Sequence, residues 1–224
     1  MASFKLNIAR IRGCSPPTEV VRAMEEFALP DNEEFGVLNC SATEQAALAT
    51  IIRRTHQAVQ RLDADAKEVT AEAVERITVY PLAVKPGIEV LEIYAGSAAG
   101  IEQVGQFFAG CLGFPTVTES IEVDIPSAID RLMANTEKFQ LRAMRVSDYS
   151  HNSFMVGPYA PKFLDTQHGL DFLAEHAETV ASATVRFAAP SGRANVKLTA
   201  RACFGFSCNE EDQPYVQSIL RKLI

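Results

Sequence analysis

The chain has 224 residues, of which 47% are hydrophobic and 22% charged, a balance that excludes a disordered polymer and fits an ordinary globular protein. Its net charge of −7 excludes a surface that is basic all round, but not one basic face on an acidic body. No apolar run reaches the roughly 18 residues of a membrane helix. The five cysteines, Cys14, Cys40, Cys111, Cys203 and Cys208, are odd in number and scattered, and no signal-peptide hydrophobic region opens the chain. The expectation is a cytoplasmic protein with reduced thiols and no membrane contact.

Taken in order, Phe4 to Ile11 alternates Phe4, Leu6 and Ile8 against Lys5, Asn7 and Ala9, the period of a half-buried strand. Ser15 before Pro16 and Pro17 reads as a helix start. Val20, Val21, Met24 and Phe27 form that helix's apolar stripe, and Pro30, Asp31 and Asn32 stop it. Ser41-Ala42-Thr43-Glu44 matches a capping box. Behind it Leu48, Ile51, Ile52, Thr55, Val59 and Leu62 recur at three- and four-residue spacing, which predicts a long helix with Arg53, Gln57 and Arg61 on its polar face. A short helix is expected at Thr70 to Glu75.

Arg76 to Val84 and Ile88 to Ala95 read as strands joined by Lys85-Pro86-Gly87. After a flexible Gly96–Gly100 turn, Ile101, Val104, Phe107, Phe108, Cys111 and Leu112 mark a buried helix ended by Gly113. Val117 to Ile125 is a further strand, and Pro126 opens a helix through Met133. The segment Ser147–Lys162, rich in Tyr, Pro, Ser and Asn, reads as a long loop, followed by a helix from Asp165 to Val180. A hairpin of Ala183–Ala189 and Asn195–Phe206 comes next. Asn209 then caps the last helix, with Glu210, Glu211 and Asp212 at its positive end and Arg221 and Lys222 at its negative end.

Two segments echo each other. Phe4-Lys5-Leu6-Asn7-Ile8-Ala9-Arg10-Ile11 and Phe139-Gln140-Leu141-Arg142-Ala143-Met144-Arg145-Val146 share Phe, Leu and Arg in register. Each is followed by helical patterns, a strand pair and a C-terminal helix. The expected fold is therefore α+β: an internal duplication of a strand–helix–hairpin–helix unit, with antiparallel sheets and helices packed on one face. The halves are residues 1–135 and 136–224, as two repeats or one continuous bilobed domain.

The chemistry-bearing pattern lies in the second half. Alternation sends Val185, Phe187, Val196, Leu198, Ala200 and Ala202 toward the helices, and Thr184, Arg186, Lys197, Thr199 and Arg201 to the other side, where Arg142 joins them. Four cations and two threonines without a carboxylate suit a phosphate backbone, because cations displace condensed counterions and hydroxyls donate to phosphate oxygens. The absence of aromatic residues there argues against base stacking. The same residue types also keep an ordinary sheet face soluble. A second basic feature is the Arg53/Arg61 ridge, with His56 nearby.

Other chemistry is less well marked. No phosphate-binding glycine loop, nucleophile elbow or HExxH occurs, and the Cys203/Cys208 and His168/His176 spacings do not make a metal site. No cofactor is expected. The leading expectation is a non-enzymatic binding or scaffold protein that holds nucleic acid or another polyanion on the basic sheet face. The alternatives are a module that self-associates or binds protein through its apolar C-terminal helices or an open sheet edge, and a small enzyme. The enzyme would use Cys208, activated at a helix start, or the Asp165, His168, Asp171 and Glu175 region.

Overall fold

A computed structural model describes residues 1–28, 33–63, 68–96, 98–113, 115–152 and 155–224; the side chains of residues 61–63, 68, 70, 98–99 and 151–152 are not described. The helix stop expected at Pro30, Asp31 and Asn32 lies outside these residues, as does part of the Gly96–Gly100 turn. The described residues form eleven strands and five α-helices. Paired strands run antiparallel throughout the assigned registers. The mixed α+β class follows directly.

Contacts divide the chain into two compact units, Met1–Ala9 with Ser120–Ile224, and Arg10–Glu119. In the second of these, β1 (Ala2–Arg12) ends, α1 (Pro17–Glu25) follows, and β2 (Phe35–Ala42), β3 (Ala47–Asp63), β4 (Glu68–Lys85) and β5 (Val90–Ile93) pair in sequence order. Then come α2 (Ala98–Leu112) and β6 (Val117–Ser120). The first unit holds the start of β1, then α3 (Ile125–Asn135), β7 (Gln140–Asn152), β8 (Met155–Tyr159), α4 (Thr166–His176), β9 (Val180–Ala189), β10 (Gly192–Thr199), β11 (Cys203–Cys208) and α5 (Gln213–Arg221). Its strand order is β1-β11-β10-β9-β7-β8.

Several helical expectations fail, each for a visible reason. The segment from Ser41 to Leu62 is not a helix but the end of β2, a tight turn, and β3. Thr43 does cap, but it caps a hairpin turn. Its N–H and hydroxyl both donate to the Ala46 carbonyl (2.8 and 3.0 Å), and its Oγ1 accepts from the Ala46 N–H at 3.0 Å. The β-branched residues Thr50, Ile51, Ile52, Thr55 and Val59 favour a pleated surface, and β4 supplies a register unbroken from Ala47↔Val84 to Asp63↔Glu68. The short helix expected at Thr70–Glu75 lies within that same β4. The loop expected at Ser147–Lys162 is a β7–β8 hairpin in its described part, with the Tyr149 and Tyr159 rings 4.5 Å apart. Asn209 does not cap α5; its Nδ2 donates back to the Ser191 carbonyl at 3.0 Å, and a short 3-10 turn, Glu210–Asp212, leads into the helix.

Other elements match. α2 buries Val104, Phe108 and Cys111 and stops at Gly113, which takes φ +69. Asp124 Oδ2 caps α3 by accepting from the Ser127 N–H at 3.0 Å, and Asp165 Oδ1 caps α4 by accepting from Gln167 and His168.

The structure does not display the expected duplication. The first half has one strand before its helix and four after it, the second has two before and three after, and β6 with α3 has no counterpart. A single helical layer on one face is not evident either: α1 packs on β2, β3 and α2, while α3 contacts β9 and α4 contacts β7.

The core of the first unit sits on one side of its sheet. Leu6, Ile8, Leu141, Met144, Ala183, Val185, Phe187, Val196, Leu198, Phe204 and Phe206 are buried there, and Phe4 stacks on Phe206 at 5.4 Å. A buried carboxylate, Asp212, fastens the β9–β10 turn by accepting from the Ser191 N–H (3.0 Å) and hydroxyl (2.7 Å).

Candidate functional site

With that face buried, strand alternation fixes what the other face carries. On β9 the half-buried Thr184 and Arg186 alternate with buried Ala183, Val185 and Phe187. On β10 Asn195, Lys197 and Thr199 alternate with buried Ala194, Val196 and Leu198. Cross-strand pairing then assembles rows. Lys5 pairs with Gly205, Gly205 with Lys197, and Lys197 with Thr184. One step along, Ser3, Ser207, Asn195, Arg186 and Gln140 line up across five strands. In this second row Arg186 Nε donates to Asn195 Oδ1 at 2.7 Å, and Asn195 Nδ2 donates to Ser207 Oγ at 3.4 Å. The amide holds the guanidinium along the sheet and leaves its charge in place.

The expected residues do not all join this face. Arg142 stands at a β-bulge: Leu141 pairs with Val185 and the next pair is Ala143↔Thr184, so Arg142 and Ala143 together oppose Thr184. The bulge resets the parity of β7, so Arg145 pairs with Ser182 instead. Arg145 and Ser182 line a hollow of about 460 Å³ together with Lys197, Thr199 and Ser147. Sequence reasoning missed Arg145 because nothing in Leu141-Arg142-Ala143 announces a bulge. Lys5 was assigned to a separate half, and the β1–β11 pairing brings it here.

Arg201 is a correction. The expected strand Asn195–Phe206 is two strands, and Arg201 stands in the turn between them, next to Ala202 at φ +50. Thr199 is on the face, but its hydroxyl clasps that turn, donating to the Cys203 carbonyl at 3.0 Å and accepting from the Cys203 N–H at 3.2 Å.

The electrostatics of the face are one-sided. β1, β9, β10 and β11 contain no Asp or Glu at all, although the chain has 28 acidic residues against 21 Lys and Arg. Among the described residues no carboxylate forms an ion pair with Arg145, Arg186 or Lys197. Like charges on a solvated sheet repel weakly in water but add their fields toward an approaching anion.

The second basic feature lies on the strand β3 rather than on a helix, and there Arg53 and Arg54 take opposite faces. Arg53 donates to Glu34 Oε1 (2.6 Å) and to Gln103 Oε1 (2.5 Å), and its guanidinium lies 5.4 Å from the Phe35 ring centroid. It is a structural tie between β3, its neighbouring segment and α2. Arg54 pairs with Glu75 at 3.6 Å. Arg61 pairs by backbone with Thr70; its side chain lies outside the described residues.

Cys208 is buried, and burial, followed by the nearby Asp212 charge, pushes its thiol up from the usual range, the reverse of activation. His168 is an exposed side chain beside Asp165, 3.7 Å away, and Asp171 accepts from Gln167 Nε2 at 2.9 Å, so this set is a solvated helix end. Among the described residues, no three His, Cys, Asp or Glu side chains come together at metal-binding distance. No helix among them is long and apolar enough to cross a membrane.

No protein-family model matches the chain, and no curated protein matches it in sequence.

Proposed function

We propose that this is a non-enzymatic binding protein that holds nucleic acid, through its phosphate backbone, on the outward face of the β1-β11-β10-β9-β7 sheet. One observation carries the reading: Lys5, Arg145, Arg186 and Lys197 stand on strands that pair side by side, and four of those five strands have no carboxylate, in a chain that is acidic overall. Neighbouring strands lie about 4.8 Å apart, so Lys5 and Lys197 flank Gly205 with about 10 Å between their backbones. That spacing lets two ammonium groups reach one phosphate or two successive ones. Ser, Thr and Asn side chains between the cations supply donors.

Among the described residues, the face carries no aromatic side chain on which a base would stack. Recognition is therefore of charge and backbone shape rather than of sequence. Fluorescence anisotropy with labelled duplex DNA, single-stranded DNA and RNA, at low and at physiological salt, tests it. Micromolar binding that falls steeply with salt is expected. Arg145→Ala with Lys197→Ala is expected to weaken all sequences alike and to reduce the salt slope by about two. Absence of binding at low salt, or a slope unmoved by the double change, refutes the reading. Binding to heparin but to no nucleic acid redirects it to another polyanion.

A further inference from the structure

Among the described residues, no strand flanks the β3–β4 hairpin beyond Arg54 and Thr78: the β2 side ends at the Arg54 N–H to Glu34 carbonyl bond, and the β5 side reaches β4 only from Pro81 on. The ribbon is exposed on both faces, with Val69 62% and Ile77 55% accessible on one and Val74 37% on the other. Open edges in natural sheets are normally blunted by proline, a bulge, a very short strand or charged side chains. Before Pro81, β4 has only the charges, Glu72, Glu75 and Arg76 among them, and its register with β3 is unbroken.

The sequence of this edge is nearly its own mirror about Val74. Val69 answers Val79, Thr70 answers Thr78, Ala71 answers Ile77 and Glu72 answers Arg76. We propose that a second copy of this chain pairs antiparallel with the β4 edge, on a twofold axis through Val74, so that two hairpins form one four-stranded sheet. Glu72 of each copy then faces Arg76 of the other, Val69 faces Val79, and Val74 meets itself.

The backbone permits this register and few others. The Tyr94 N–H donates to the Pro81 carbonyl at 2.9 Å, so Pro81 points its backbone group to the β5 side of β4. By alternation Val79, Ile77, Glu75, Ala73, Ala71 and Val69 point theirs to the same side, where the edge is open. An axis through Val74 sets these residues against one another, as an antiparallel ladder requires, and leaves Val74 as a pair without hydrogen bonds, where side chains approach closest. A one-residue slip opposes inward and outward groups and gives no ladder. Moving the axis to Glu75 sets that carboxylate against its own copy, and moving it to Ala73 places Glu72 opposite Val74. The β3 edge, Arg54–Asp63, has no such symmetry. An isologous interface needs a self-complementary patch, and this one is written in eleven consecutive residues.

Sedimentation of the whole chain from about 1 to about 100 µM reads the dimer. Wild type is expected to dimerise; a monomer throughout overturns the proposal. Glu72→Arg and Arg76→Glu each turn two attractive pairs into two repulsive ones, and each is expected to weaken the dimer about tenfold. Mixing the two variants restores attraction at both pairs, so a heterodimer is expected as tight as wild type. Ala73→Pro removes an N–H that points only to the open edge, leaving the β3 ladder intact, and is expected to give a folded monomer by circular dichroism. A dimer indifferent to all three changes overturns the proposal, as does failure of the mixture to reassociate. Nucleic-acid binding by the other unit's sheet face is a separate property, and neither result alters the other.

Discussion

Lys5 and Lys197 pair with the same residue from opposite sides: Gly205 of β11 stands between them, and a Cβ added to it would meet nothing within 4 Å. A residue without a side chain thus separates two cations that are 192 positions apart in sequence. The open floor leaves room for an anion to approach both.

This arrangement makes Gly205 a probe of the face. Gly205→Ala is expected to keep the fold and to raise stability by roughly 0.5–1 kcal/mol, because glycine in a strand interior loses more backbone entropy than alanine. Gly205→Glu places a carboxylate between the lysines and is expected to lower nucleic-acid affinity about tenfold at low salt. Gly205→Gln, similar in size and uncharged, separates charge from bulk. Thermal melts and anisotropy titrations check both parts, and a Glu variant that binds like wild type counts against the face.

Arg53 provides the contrasting case. Its guanidinium bonds to Glu34 and Gln103 and covers Phe35, with only 24% of the side chain exposed. Arg53→Ala is expected to cost roughly 0.5–1.5 kcal/mol of stability, since it removes charge-assisted hydrogen bonds to solvent-exposed acceptors and the cover over Phe35. Nucleic-acid binding is expected to stay unchanged. Urea denaturation and the same titrations distinguish a tie from a contact.

Asp212 is 2% exposed and accepts twice from Ser191. Asp212→Ala strands the Ser191 N–H and hydroxyl and is expected to cost roughly 1–3 kcal/mol. Ser191→Ala removes the hydroxyl alone and is expected to cost less. A lower midpoint at unchanged urea m-value marks lost stability without a changed fold. Equal midpoints for both variants and wild type refute the anchoring role.

Strict alternation needs only neighbours in the chain, and this is why β1, β9 and the buried set Val185, Phe187, Val196 and Leu198 were legible from the residues alone. α2, with its apolar stripe and terminal Gly113, was legible for the same reason. Ser41 to Leu62 was not. Its three-and-four spacing and capping pattern fit a helix locally, and the same Thr43 hydroxyl fits a hairpin turn equally well. The partner strand β4 decided between them, through a ladder no local rule contains.

The candidate site divides along the same line. Arg186, Lys197 and Thr184 share a face by period alone. Arg145 enters through a bulge in the pairing of β7 with β9. Lys5 reaches Lys197 only because β1 pairs with β11, at the far end of the chain. Composition and periodicity set which residues are apolar, which are charged and where strands run. Long-range hydrogen-bonded register, which depends on every strand at once, decided which charges meet.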